Sequence, residues 1–174
     1  MHRASCRLPK KPSALILLAL GDLAKAERSA QYRIDMGSWH VGIDAEPASY
    51  DPETCKAEKS GEASCCAVCL AGSVMAFSLN VPDTLSIEPY AYPRDVRHAL
   101  LAINDFRVGD VGEGLEGMGV PAAKIRRARD AFGASESTDE VLWNVPVPHY
   151  TARNSAKFKK AMRAMAKKLA SVGL

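Results

Sequence analysis

Residues 35–72 hold His40, Trp39 and four of the five cysteines: Cys55, Cys65, Cys66 and Cys69. Thiolate and imidazole are ligands that transition metals accept, and a thiolate beside an imidazole is also a nucleophile with its base. Two chemistries follow. Cys66 and Cys69 are three residues apart, so on a helix they share a face. His40, Cys55 and Cys65 are then available to complete four ligands, a set that suits zinc. In the other chemistry His40 activates Cys65, Cys66 or Cys69 and is itself oriented by Asp35 or Asp44. A plainer expectation competes with both. Cysteine is among the most buried residue types and often fills apolar space. A strong zinc signature has two separated ligand pairs, and here there is one pair with scattered singles. The residues therefore read as interior scaffold, with no catalytic residue assigned and no cofactor expected. A small zinc protein using His40, Cys55, Cys65, Cys66 and Cys69 is the alternative, with His40, Cys55, Cys66 and Cys69 as its first four ligands.

A glycine pattern, Gly112-Glu113-Gly114-Leu115-Glu116-Gly117, matches the spacing of dinucleotide-binding loops. No apolar strand precedes it, and two glutamates stand where a pyrophosphate needs positive dipoles. A helix-to-helix turn is the simpler expectation.

Charge offers a third kind of chemistry. Residues 150–174 carry Arg153, Lys157, Lys159, Lys160, Arg163, Lys167 and Lys168 and no acid, and residues 1–12 carry Arg3, Arg7, Lys10 and Lys11 and no acid. All 20 acidic residues lie between, so the net charge of +3 conceals two basic ends on an acidic body. The ends either neutralise that body or meet a negatively charged partner. Lys157, Lys160, Arg163 and Lys167 are the candidate contact residues. Nucleic acid is a second alternative, but base reading would want aromatic or amide side chains among the basic ones. A membrane-surface helix would carry more bulky aromatics than Phe158 alone.

The elements that must position these residues are mostly helical. Leu15, Ala19, Leu23, Ala26 and Ala30 recur at helical spacing and predict a helix over residues 13–32. Residues 41–62 are polar and rich in turn formers, a long loop that carries Cys55. Residues 63–79 read as one buried helix with Cys66, Cys69, Leu70, Ser73, Val74 and Phe77 on a face. Prolines to residue 93 predict an extended connector, and Pro93 then starts a helix that Gly109 stops. A short helix over residues 111–118 follows. The next begins at Pro121 and ends at Gly133. The residues 145–148, Val-Pro-Val-Pro, exclude a strand inside a sheet. Phe158, Met162, Met165, Leu169 and Val172 define the last helix, capped by Asn154 or Ser155. No alternating strand stands out.

With 174 residues, 47% hydrophobic and 25% charged, the chain has the length and composition of one globular domain. The expectation is a single all-α domain over residues 13–174, of about six helices with little or no sheet, preceded by a flexible basic arm over residues 1–12. Residues 14–20 form the longest apolar run, well short of the roughly 18 needed to cross a bilayer. They continue into a helical pattern with no small-residue cleavage site, so no secretory leader is expected. An odd cysteine count then favours free thiols in a reducing cytoplasm.

Three phrases carry a resemblance: Tyr32-Arg33-Ile34-Asp35-Met36-Gly37-Ser38-Trp39-His40, Cys69-Leu70-Ala71-Gly72, and residues 102–111 from Ala102-Ile103-Asn104-Asp105 to Val111. Together they resemble a loose family of small phage and prophage proteins of uncharacterised role. In that family an Asp-Met-x-x-Trp segment precedes a cysteine-containing stretch ending in a Cys-x-Ala-Gly-like step. Where a family form carries Cys-Gly-Thr before the final cysteine, this chain has Ser64, Cys65 and Cys66. The resemblance implies a cytoplasmic protein of a bacterial host cell and brings no catalytic residues. It makes the expected function that of a non-enzymatic protein-interaction module, an inhibitor or modulator of host machinery, whose partner is a host or phage protein.

Overall fold

The structure is a computed structural model, and it describes residues 8–43, 65–134 and 143–174. Among these lie six α-helices: α1 (Pro12–Arg28), α2 (Leu70–Phe77), α3 (Arg94–Val108), α4 (Val111–Gly117), α5 (Ala122–Phe132) and α6 (Ser155–Ser171). Three short strands accompany them: β1 (Tyr32–Ile34), β2 (His40–Val41) and β3 (Cys66–Val68). The fold is mainly helical. No helix among the described residues is long and apolar enough to cross a membrane.

Helix α2 is the centre. Every residue from Leu70 to Ala76 is buried, so it has no solvent face. Helix α1 packs against it through Leu15, Ile16, Ala19, Leu20 and Leu23, and also reaches α6. Helix α3 covers another side of α2 with Leu100, Ile103 and Phe106, and α4 and α5 continue the layer round to α6. Phe158, Met162, Met165 and Leu169 then close the core from α6. Leu8 packs against this core as well.

The terminators follow the chain chemistry. Pro12 opens α1, Pro93 and Pro121 precede α3 and α5, and Gly109 ends α3 at a φ of +87°, a conformation costly for a residue with a Cβ. A Cβ at Gly109 would also meet the Val145 carbonyl oxygen at 2.0 Å. That contact brings residues 144–148 alongside the end of α3: Val145 N–H donates to Gly109 O at 2.8 Å, and Asp110 and Asn144 form an isolated bridge.

The sheet corrects the expected single helix over residues 63–79. Strand β3 lies in the middle, parallel to β1 with Tyr32 opposite Cys66, and antiparallel to β2 with His40 opposite Val68. Cys66, Ala67 and Val68 are all buried, so the segment shows no alternation. A short run that is apolar throughout cannot be told from a helix by period. Cys66 is therefore a strand residue and Cys69 the N-cap of α2, and the two do not share a helical face. The predicted loop likewise begins later than residue 41, because Val41 pairs with Ala67. Residues 44–62 and Cys55 lie outside the described residues.

Candidate functional site

The thiols and His40 are placed by the sheet. In the pairing of β2 with β3, His40 comes beside Cys66, with Cys66 Sγ 3.6 Å from His40 Nε2 and 3.7 Å from Nδ1. A sulfur almost equidistant from both nitrogens faces the carbon between them or the ring face, and lies along neither lone pair. His40 Nδ1 is 2.8 Å from the Leu85 carbonyl oxygen, which can only accept, so Nδ1 carries the proton. His40 O takes the Ile87 N–H, which ties residues 85–87 to β2. Burial pushes the Cys66 thiol up to about 12, with Asp83 and Cys65 adding to the rise, and burial also lowers the His40 imidazole. A thiol raised that far holds little thiolate, so Cys66 is not poised as a nucleophile, and its sulfur does not lie along the free Nε2 lone pair of His40.

Cys69 is also held as a neutral thiol, chiefly by burial. Its sulfur accepts the Gly72 N–H at 3.3 Å and caps α2 instead of turning to His40. Cys65 is half-buried. Among the described residues no group of three or more His, Cys, Asp and Glu side chains is arranged to hold a metal ion. Asp35, the proposed orienting acid, accepts from Gly37 N–H and Ser38 hydroxyl at 2.9 Å each and shapes the turn between β1 and β2. The order of thiol labelling in native protein follows. A charged aromatic disulfide reagent is expected to modify Cys65 well before Cys66 and Cys69, which should react only on unfolding. Mass mapping of the modified peptides checks this, and prompt native labelling of Cys66 would overturn the scaffold role.

Sequence reading missed a cleft of about 920 Å³ beside this sheet. One wall is β1 and the turn after it, including Tyr32, Ile34 and Met36. Arg107 from the last turn of α3 stands on it, and residues 149–152 with Ser155 close it from the approach to α6. The cleft joins two of the three phrases singled out in the sequence, residues 32–40 and 102–111. The third, Cys69-Leu70-Ala71-Gly72, braces the same turn: Cys69 N–H donates to Trp39 O at 3.3 Å, and Gly72 packs against that oxygen. No spacing pattern in the sequence announces the cleft, because the contributing residues are widely separated and 149–152 have no regular structure.

Glu27 at the end of α1 anchors one side of the cleft. It accepts from the Tyr150 hydroxyl at 2.9 Å, from Ser155 Oγ at 2.5 Å and from Lys159 Nζ at 2.6 Å. Burial alone would raise its carboxyl, but Lys159, Ser155 and Tyr150 together hold it below the usual range. Burial, with the same contact to Glu27, pushes the Tyr150 phenol up to about 12. Arg107 is matched differently. Its Nε and Nη2 both point to the Asn104 side-chain oxygen, at 3.0 and 2.8 Å, and among the described residues it makes no ion pair.

The basic end helix shows a second surface. Lys157, Lys160, Arg163 and Lys167 are all exposed, on the side of α6 opposite Phe158, Met162, Met165 and Leu169. Lys159 is drawn to Glu27, and Lys168 lies over the Phe132 ring at 5.0 Å from its centroid. The glycine phrase at residues 112–117 falls inside α4, where Gly114 seats the Phe106 ring, so it forms no phosphate loop. Comparison of the chain with protein-family models, curated proteins and solved structures finds no match.

Proposed function

We propose that the chain is a non-enzymatic protein-interaction module that presents the basic face of α6 to an acidic surface of a host or phage protein. The observation that carries this reading is the exposed row Lys157, Lys160, Arg163 and Lys167. None of the four is engaged in an ion pair among the described residues. A row of like charges on one rigid helix face destabilises itself modestly and gains most when an opposite surface neutralises it. Burial that pushes the Cys66 thiol up to about 12 disfavours the thiolate that nucleophilic catalysis needs, and Cys69 is committed to the Gly72 N–H, which supports a binding role. The resemblance to small phage and prophage proteins makes a bacterial host the expected setting.

The test is a partner captured from host lysate, then reconstituted from purified components. Reversing Lys160→Glu and Arg163→Glu together is expected to weaken that complex by roughly a hundredfold, about 1–2 kcal/mol for each charge reversed. The association rate should fall and its salt dependence flatten, with the melting temperature equal to the parent's or slightly higher, because both side chains are solvated and their repulsion along α6 is relieved. Unchanged affinity in the double variant would overturn the reading. Retention on duplex DNA that falls steeply with salt and needs the same residues would replace it with nucleic-acid binding. Stoichiometric zinc in untagged protein would replace it with the metalloprotein alternative.

A further inference from the structure

The cleft between β1, α3 and the approach to α6 is not used by the interaction surface on α6. We infer that this cleft is a binding site for a small organic anion, with an apolar body seated on Ile34 and Met36 and a carboxylate, phosphate or sulfonate directed to Arg107.

The charge balance of the cleft carries the argument. Two carboxylates, Glu27 and Asp35, and two guanidiniums, Arg33 and Arg107, line it, and both carboxylates and Arg33 are engaged within the protein. Glu27 is surrounded by Lys159, Ser155 and Tyr150, and Asp35 takes the Gly37 N–H and the Ser38 hydroxyl. Arg107 faces neither as an ion pair. Its one side-chain partner among the described residues is the neutral amide oxygen of Asn104, which takes Nε and one terminal nitrogen. That grip fixes the guanidinium plane and leaves donor hydrogens over, since the group has five. A half-buried guanidinium held by an amide keeps its full positive charge in a place where water is partly displaced, and an anion arriving there meets a preorganised fork. Thr151, on the opposite wall, uses its oxygen to accept the Asn154 N–H at 3.2 Å, and its own hydroxyl hydrogen remains to donate.

Shape and polarity set the rest of the ligand. The volume of about 920 Å³ falls within the range of small-molecule sites. Ile34, Met36 and the Tyr32 ring are half-buried and offer apolar surface, and a thioether adapts to ligands of differing outline. An ion without an apolar part would use the guanidinium and leave these walls in water. An aromatic or branched aliphatic acid uses both.

Anilinonaphthalene sulfonate serves as the probe, because it joins fused rings to one anionic group. Titration of the whole chain is expected to show one equivalent bound per folded molecule, with amide shifts concentrated at residues 34–37, Arg107 and Thr151. Arg107→Gln should weaken binding by roughly tenfold to a hundredfold, the worth of a charge-assisted hydrogen bond. Met36→Trp, which fills the cleft and leaves Arg107 alone, should abolish it. Lys160→Gln on the α6 face should leave it unchanged, which separates this site from the interaction surface. Equal affinity for phenylnaphthylamine, the same rings without the sulfonate, would overturn the inference. So would unchanged binding in folded Met36→Trp, or amide shifts confined to α6.

Discussion

Gly72→Ala is expected to cost about 3 kcal/mol or more and to lower the melting temperature by roughly 10 °C. The reason is a single contact. A Cβ at Gly72 would stand 1.5 Å from the Trp39 carbonyl oxygen and 2.7 Å from its carbon. Both are backbone atoms, so no rotamer change relieves the clash. The Trp39 carbonyl is also tied to the Cys69 N–H, and Val68 beside it is paired to His40. Moving the carbonyl away therefore opens the junction of β2 with β3 and loosens the N-cap of α2 together. Gly21→Ala is the matched control. Gly21 lies mid-helix in α1 with nothing within 4 Å of an added Cβ, so the same exchange should stabilise by about 0.5–1 kcal/mol. Chemical denaturation of both variants checks the pair, and a Gly72→Ala protein as stable as the parent would refute the packing account.

The Gly72 contact also shows which parts of the fold the residue pattern could reveal. Where a helix is long, amphipathic and punctuated, its limits are legible. Pro93 and Gly109 bracket α3, Pro121 and Gly133 bracket α5, and Phe158 to Leu169 trace the buried stripe of α6. These signals are local, because the backbone chemistry that starts and stops a helix sits within one turn of its ends. The sheet is not local. Tyr32 pairs with Cys66 and His40 with Val68 across more than twenty residues, in strands of two or three residues. No period can be counted in so few positions, and β3 is buried throughout because it is flanked by both strands and covered by helices. Reading Cys66 and Cys69 as neighbours on a helix face followed from that gap. Four residues of extended chain before α2, Cys66 to Cys69, send the two sulfurs to different partners, His40 and the Gly72 N–H.

The proposed site was less legible than the fold for a related reason. Its basic surface residues are contiguous on one helix, so Lys157, Lys160, Arg163 and Lys167 could be read as a face from spacing alone. The cleft draws on the end of α1, the turn after β1, the end of α3 and the irregular approach to α6. Nothing in the spacing of Glu27, Arg107 and Tyr150 announces that they meet. Their meeting depends on α1 and α6 packing side by side, which is a property of the assembled core.

Glu27 joins those two helices, and its removal is the second large effect expected. Glu27→Ala deletes the acceptor for Tyr150, Ser155 and Lys159 at once, and leaves Lys159, itself only 18% exposed, without its counter-ion. Breaking a largely buried pair from one side typically costs about 3 kcal/mol. Glu27→Gln keeps an acceptor oxygen but loses the charge, and should fall between the two. The pH dependence has a definite sign. The folded-state carboxyl is held below its ordinary value, so the unfolded chain takes up the proton first as pH falls. Glu27 therefore contributes its full stability above about pH 5 and loses it as pH drops through the folded value. Other groups act in the same region. Burial lowers His40, which costs stability as pH falls below about 6.5. Burial with Asp110 and Glu113 nearby raises Asp105 to about 6, which favours the folded chain as pH falls through that value. Both are present in parent and variant and cancel in the difference between them. The stability gap between parent and Glu27→Ala should thus be flat from pH 5 to 8 and narrow towards pH 3. Urea denaturation across that range measures it, and a gap independent of pH would show that Glu27 acts through its shape and not its charge.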